Sequence, residues 1–285
     1  MGAKSLLRKA AKFILSSSSG EHVNVVVDQV TAGGILSGKG IVITGGAKGL
    51  GFAMAKKFVS EGAQVVISGR KEDALIDASS KLGASCKYVV SDVSNVNGVE
   101  GFLDSCEKAL GKSADCLVSN AGVSLHEGRF SNVTVKGFDL AFNTNMRGPY
   151  FLAQEWLKRK ETEKGHAPAQ LLVITSETGD QCYDIPYGMT KAAMNSFVRA
   201  ASRRVYKEGI RVNAIAPGVT LTDMTKEYAE SADGSLYRDC ASGRVFLPAE
   251  VAEVACFLLS NASICISGEV IHTNAGNHLS VWWDE

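Results

Sequence analysis

Thr44-Gly45-Gly46-Ala47-Lys48-Gly49-Leu50-Gly51 follows the apolar run Gly40-Ile41-Val42-Ile43 and leads straight into a helical pattern. The run has the β-branched content of a buried strand, and the glycines mark a tight turn between strand and helix. Glycine at such a turn lets the backbone approach a pyrophosphate closely, while unpaired N–H groups at the helix start favour an anion. Gly45, Gly49 and Gly51 are spaced G-x-x-x-G-x-G. Any tight turn uses glycine; the position after a first buried strand is what favours a nucleotide site. No G-K-[S/T] triplet follows, which disfavours a triphosphate-binding loop.

Outward from this turn the same grammar repeats. Residues 40–46, 63–70, 86–93, 115–122, 171–179, 210–218 and 268–276 each contain a β-rich apolar run. Most of these runs are continuous rather than alternating, as in strands buried on both faces. Helical patterns occupy the intervals near 49–61, 71–81, 96–110, 135–160, 186–207 and 248–259. Strand–helix–strand repetition implies right-handed crossovers. The expected architecture is an α/β doubly wound Rossmann fold, a seven-stranded parallel sheet with helices on both faces. Residues 219–247 lack strand character and are rich in polar and aromatic side chains, the composition of a flap over a site. The expected division is a basic extension over residues 1–38 and a single domain over 39–285.

A chain of 285 residues can bury one sizeable core. Its 30 basic and 30 acidic side chains balance, so no global field would collect nucleic acid or an anionic membrane. The 7 cysteines are scattered without a C-x-x-C pair, which fits reduced thiols in a cytoplasmic setting and opposes a disulfide framework or zinc site. The 5 histidines show no metal-ligand spacing, so no metal is expected. No apolar run reaches the roughly 18 residues of a membrane span. Even so, Lys4, Arg8, Lys9 and Lys12 stand near the start with no acid among them, and Leu6, Leu7, Ala10, Phe13 and Ile14 can line one helical face. Such a segment can lie on a membrane surface, act as a targeting signal or dock on the protein's own body.

The second apolar run ends Ser68-Gly69-Arg70-Lys71. A dinucleotide site usually carries an acid here for the adenosine ribose, and this chain has none. Arg70 and Lys48 beside the open Gly69 suit a 2′-phosphate, which a carboxylate would repel. Both cations also read as solvated loop residues. The expectation is NADP(H) in preference to NAD(H).

Further along, Asp92 lies in Ser91-Asp92-Val93 and Asn120-Ala121-Gly122 closes the fourth run. Asn145 lies in Asn145-Met146-Arg147-Gly148, Ser176 follows Ile174-Thr175, and Tyr187 and Lys191 form Y-x-x-x-K. The stretch from Arg211 to Thr222 contains Pro217-Gly218-Val219. In this order, with the glycine turn, these motifs resemble the short-chain dehydrogenase/reductase family, in its 3-oxoacyl-acyl-carrier-protein-reductase-like branch, from about Lys39 to Gly276. The resemblance implies cofactor contacts at Gly45, Lys48, Gly49, Leu50, Gly51, Gly69 and Arg70. It also implies an adenine contact at Asp92, a turn at Asn120, Ala121 and Gly122, and a nicotinamide seat at Pro217, Gly218, Val219 and Thr222.

The chemistry explains the residue types. Hydride reduction of a ketone needs a proton for the developing alkoxide, and the phenol of Tyr187 can supply it, or remove it in reverse. A free tyrosine has a pKa near ~10 and gives up that proton reluctantly. Lys191, four residues along one helical face, would stabilise the phenolate. Ser176 would hold the substrate oxygen. The resemblance implies that Asn145 supports a water chain linking the lysine to solvent. The one-turn spacing disfavours the enoyl-reductase branch.

The loop between Ser176 and Tyr187 is short for the family, so Gln181, Cys182 and Tyr183 should form a reshaped pocket wall, joined by His126, Tyr228 and Tyr237. Thr273-Asn274-Ala275-Gly276 stands where the family commonly shows D-G-G, a change expected at a subunit contact. Trp282 and Trp283 would be costly to leave bare and are expected to pack on a neighbouring subunit or the flap. The expected assembly is a homo-oligomer joined through helices near 139–160 and 186–207, acting on a small carbonyl or alcohol without nucleic acid. The rival reading is a non-catalytic nucleotide-binding sensor or scaffold, which an intact set of Asn145, Ser176, Tyr187 and Lys191 opposes.

Overall fold

A computed structural model describes residues 33–163, 168–225 and 240–279. The basic leader segment, Tyr228, Tyr237, Trp282 and Trp283 lie outside the described residues.

The strands are β1 Gly40–Thr44, β2 Gln64–Gly69, β3 Cys86–Val90, β4 Cys116–Ser119, β5 Ala169–Ile174, β6 Ile210–Pro217 and β7 Val270–Thr273. They form one sheet in the order β3-β2-β1-β4-β5-β6-β7, and every pairing is parallel. The helices are α1 Gly49–Ser60, α2 Glu72–Leu82, α3 Val99–Leu110, α4 Val135–Phe142, α5 Gly148–Thr162, α6 Pro186–Val205 and α7 Pro248–Leu259. The doubly wound architecture expected from the sequence is the one found.

The continuous apolar runs are explained by two cores, one on each face of the sheet. Ile41 and Ile43 of β1 pack with α1 and α7, while Val42 between them packs with residues of α3, α5 and α6. β1, β4, β5 and β6 are buried throughout, whereas β7 at the edge is half-buried along its length. Arg211 enters this core from β6. Its guanidinium donates to the carbonyl oxygens of Leu258, Ser260, Ser263 and Ile266 at 2.8–3.1 Å, so one cation joins Ser263 Oγ and Asn213 Nδ2 in closing the C-terminal end of α7 and the turn beyond it. Residues 33–38 also pack on this unit: Leu36 is fully buried and its N–H donates to Glu61 O at 3.0 Å.

Two local features depart from the sequence pattern. The helix expected over 135–160 is broken into α4 and α5 by a π-turn at Asn143–Arg147. Such turns insert an extra residue and re-aim side chains, and this one carries Asn145. The flap segment has paired ends: Leu221 N donates to Phe246 O at 2.8 Å and Phe246 N to Val219 O at 2.9 Å, around a parallel bridge between Thr220 and Phe246.

Candidate active site

The strand ends Thr44, Gly69, Asn120, Ser176 and Gly218 open on one groove of about 1590 Å³. It lies at the carboxyl ends of the strands, across the point between β1 and β4 where the sheet order reverses, and there an open parallel sheet presents its loops to a ligand.

At β1 the glycine turn is clamped from β4. Thr44 Oγ1 accepts from the N–H groups of Asn120 (3.0 Å) and Ala121 (3.1 Å), and Asn120 Nδ2 donates to the carbonyl oxygens of Thr44 (2.9 Å) and Gly45 (3.0 Å). Gly45 takes φ +68°, open to glycine, and a Cβ on Gly51 would run into the Gly45 carbonyl oxygen. Gly51 therefore lies behind the turn, while Gly45, Lys48, Gly49 and Leu50 line the groove. No side chain caps the start of α1 and no acid occupies its first turn, while Gly49 and Leu50 there line the groove, an arrangement that leaves room for an anion. This cradle fits the pyrophosphate of a dinucleotide.

Gly69 and Arg70 line the adjoining end of the groove with Asp92. Burial alone would raise the Asp92 carboxyl, but the Ser94 hydroxyl and N–H at 2.7 and 2.9 Å, together with the Arg70 guanidinium, hold it below its ordinary value. Lys48 turns instead toward the flap: its Nζ lies 3.2 Å from Asp223 Oδ2, with both side chains exposed. Pro217, Gly218, Val219 and Thr222 line the far wall, with Ala121 and Gly122 on the floor.

Tyr187 and Lys191, both on α6, face this groove. Lys191 is buried; its Nζ donates to the Ile174 carbonyl oxygen at 2.9 Å and lies 5.5 Å from the Tyr187 ring centroid. Burial lowers its pKa to about 8. Asn145 does not line the groove. Its Oδ1 accepts from Val123 N and its Nδ2 donates to Val123 O, both at 2.8 Å, with a further 3.4 Å contact to Thr190 Oγ1. Asn145 thus joins the π-turn, the strand end after β4 and α6 just behind Tyr187. Ser176 Oγ accepts from Thr178 Oγ1 (3.0 Å) and Thr178 N (3.3 Å), which leaves the serine's own proton for the groove.

His126, Gln181, Cys182 and Tyr183 also line the groove. The sequence reading missed Glu177, Asp223 and Asn277, which line it too. A charged residue directly after Ser176, in an otherwise apolar strand-to-loop segment, was the available signal for Glu177. Asn274 of the Thr273–Gly276 segment is buried within the chain beside Glu177. Four thiols are buried and pushed up, Cys86 and Cys116 to about 11 and Cys106 and Cys256 to about 12, and no disulfide joins the seven cysteines. Among the described residues no helix is long and apolar enough to cross a membrane.

This fold and groove define a nucleotide-dependent oxidoreductase of the doubly wound class. The family model described as enoyl-(acyl carrier protein) reductase matches residues 45–278, and the chain belongs to the short-chain dehydrogenase/reductase family. The 3-oxoacyl-[acyl-carrier-protein] reductase FabG of Chlamydia muridarum is 30% identical over 246 residues, covering 85% of this chain and 98% of the relative. The L-rhamnose 1-dehydrogenase (NADP(+)) of Thermoplasma acidophilum is 30% identical over 246 residues, covering 84% and 96%. Among solved structures, a 3-ketoacyl-(acyl-carrier-protein) reductase from Brucella melitensis complexed with NADH aligns with a TM-score of 0.77 at 27% identity, covering 86% of this chain and all of that one. Although the family model's description names an enoyl reductase, these relatives place the chain in the FabG-like branch, and the one-turn Tyr187–Lys191 spacing disfavours the enoyl-reductase one.

Proposed function

We propose that this protein interconverts a carbonyl and a secondary alcohol with NADP(H), Tyr187 acting as general acid in reduction and general base in oxidation. The observation that carries the reading is the buried Lys191 ammonium beside the Tyr187 ring, on the groove that the glycine turn shares. A positive charge in that position favours the phenolate and makes the proton transferable near neutral pH. Ser176 donates to the substrate oxygen, and Asn145 holds the strand end after β4 against α6. Bound nicotinamide supplies the hydride. Gly45, Lys48, Gly49, Leu50, Gly69, Arg70, Asp92, Asn120, Ala121, Gly122, Pro217, Gly218, Val219 and Thr222, with Tyr187 and Lys191, make up the cofactor site in this reading, and Gly51 packs behind its glycine turn.

NADP(H) is favoured over NAD(H) because β2 ends without an acid and Arg70 stands in the groove. The protein works as a cytoplasmic homo-oligomer in this reading. Phe138, Tyr150, Phe151 and Met189 remain exposed on α4, α5 and α6, an apolar face that a second copy would cover. Residues 1–38 precede one catalytic domain, and their last part, with Leu36, packs into its core.

Titration with NADPH and then NADH, followed by protein fluorescence and energy transfer to the reduced nicotinamide, tests the cofactor reading. NADPH should bind more tightly and be consumed with acetoacetyl-coenzyme A or 9,10-phenanthrenequinone. Tighter NADH binding would overturn the preference, and absence of binding by either would overturn the reading.

A further inference from the structure

The groove contains a buried acid that the reaction above does not use. Glu177 follows Ser176 directly, lines the groove and is only 6% exposed. Its Oε2 accepts two hydrogen bonds, from Asn274 Nδ2 at 2.9 Å and Asn277 Nδ2 at 3.1 Å. Both amides come from the turn that follows β7. The Asn274 side chain is oriented by its neighbours, since its Oδ1 accepts from Gly276 N at 3.1 Å while its Nδ2 meets Glu177 and His278 Nδ1.

That turn also supports the opposite wall of the groove. Gly218 N donates to Thr273 O at 3.2 Å, and a Cβ on Gly218 would lie 2.9 Å from the Asn274 Cβ. One buried carboxylate therefore links the serine's turn to the turn packed on Gly218. The far end of the serine's turn is tied separately: Asp180 Oδ2 accepts from Asn195 Nδ2 of α6 at 3.0 Å and meets His272 Nε2 of β7 at 2.9 Å. Ser176 is thus carried by a short turn, Glu177–Gly179, anchored on both sides.

We propose that Glu177 is a positioning residue that, through its hydrogen bonds from Asn274 and Asn277, sets Ser176 relative to the Gly218 wall. The inference rests on the role given to Ser176 and Gly218 under the proposed function. Its chemical content is a matched pair: position 177 must accept and position 274 must donate. A carboxylate at both places two like charges in hydrogen-bond contact, whereas exchange of the two roles restores a pairing.

The test uses the full chain, with NADPH and the two probes named above. N274D should lower kcat about tenfold or more, because a buried charged acceptor loses one of its two donors and gains a like charge. Affinity for NADPH should fall by less than kcat does, since the glycine turn that would hold the phosphates contains neither residue of the pair. E177Q, which keeps an acceptor oxygen, should lose less than N274D, and E177L, which keeps none, should lose about tenfold. The double variant E177Q/N274D should regain most of the kcat lost in N274D, which a contact that only supports folding would not require.

Wild-type kcat in N274D, or a double variant that binds NADPH yet is no faster than N274D, would overturn the inference alone. Should N274D fail to fold, recovery of both NADPH binding and kcat in the double variant supports the pairing, and binding without kcat overturns it. Wild-type protein that binds NADPH and reduces neither probe would overturn the proposed reaction, and this inference with it.

Discussion

Lys191 Nζ lies 5.5 Å from the Tyr187 ring centroid and donates a 2.9 Å hydrogen bond to the carbonyl oxygen of Ile174. Ile174 ends β5, two residues before Ser176, so a single contact fixes the ammonium against the helix that carries the phenol and the strand that carries the serine. Desolvation keeps the ammonium's pKa at about 8, which leaves it charged at neutral pH but not by a wide margin.

Removing the phenolic hydroxyl separates chemistry from binding. Tyr187→Phe should lower kcat about a hundredfold or more, the range of a lost general acid, with NADPH affinity nearly unchanged. Stopped-flow reduction of either probe checks it, and retained turnover would sink the assigned proton donor.

The buried lysine carries a stability cost with a defined sign. Its folded pKa of about 8 lies below the ordinary 10.5, so the unfolded chain binds more protons between those values and stability rises with pH across that window. Below the folded pKa the penalty is full, about 3 kcal/mol. Lys191→Met should therefore stabilise the inactive protein at pH 7, and the gain should shrink as the pH approaches 10.5. Urea unfolding at neutral and alkaline pH measures this; a variant less stable than wild type at pH 7 would refute it.

Cofactor choice should depend on three side chains. Arg70→Ala should weaken NADPH about tenfold while leaving NADH nearly unchanged, the effect of losing a charge-assisted contact to a 2′-phosphate. Asp223→Asn frees Lys48 from its exposed ion pair and should tighten NADPH, by no more than about threefold because such pairs are weak. Parallel titrations with the two cofactors give both ratios. An equal loss of NADPH and NADH affinity in the arginine variant would count against a 2′-phosphate contact.

Arg211 serves the fold rather than the groove. Arg211→Met removes the charged donor shared by the carbonyl oxygens of Leu258, Ser260, Ser263 and Ile266, which keep only their bonds from Ser263 Oγ, Ile266 N and Asn213 Nδ2, and should cost about 2 kcal/mol. Denaturant midpoints at constant slope report it directly, and a change below about 1 kcal/mol would mean that the remaining donors to those carbonyls suffice.

The strands were legible because burial on both faces writes itself into consecutive residues: Ile41, Val42 and Ile43 are all apolar since each faces one core or the other. The candidate site was legible where chemistry and backbone geometry restrict residue type locally, as at Gly45 and Gly51 of the glycine turn and at the Tyr187–Lys191 turn that faces the same groove. The π-turn was not, because Asn143–Arg147 continues the helical pattern on both sides and the extra residue shows only in the hydrogen bonding.

By itself, then, the sequence determined the alternating elements, the parallel sheet and the motifs that surround the groove. All of these follow from local periodicity and from short-range limits on residue type. Tertiary structure alone decided that Lys48 meets Asp223, 175 residues away, and that Glu177 meets Asn274, 97 residues away. Such contacts join loops at the ends of different strands. Which loop ends meet depends on strand order and on the packing of the helices between them, and no short window of sequence contains either.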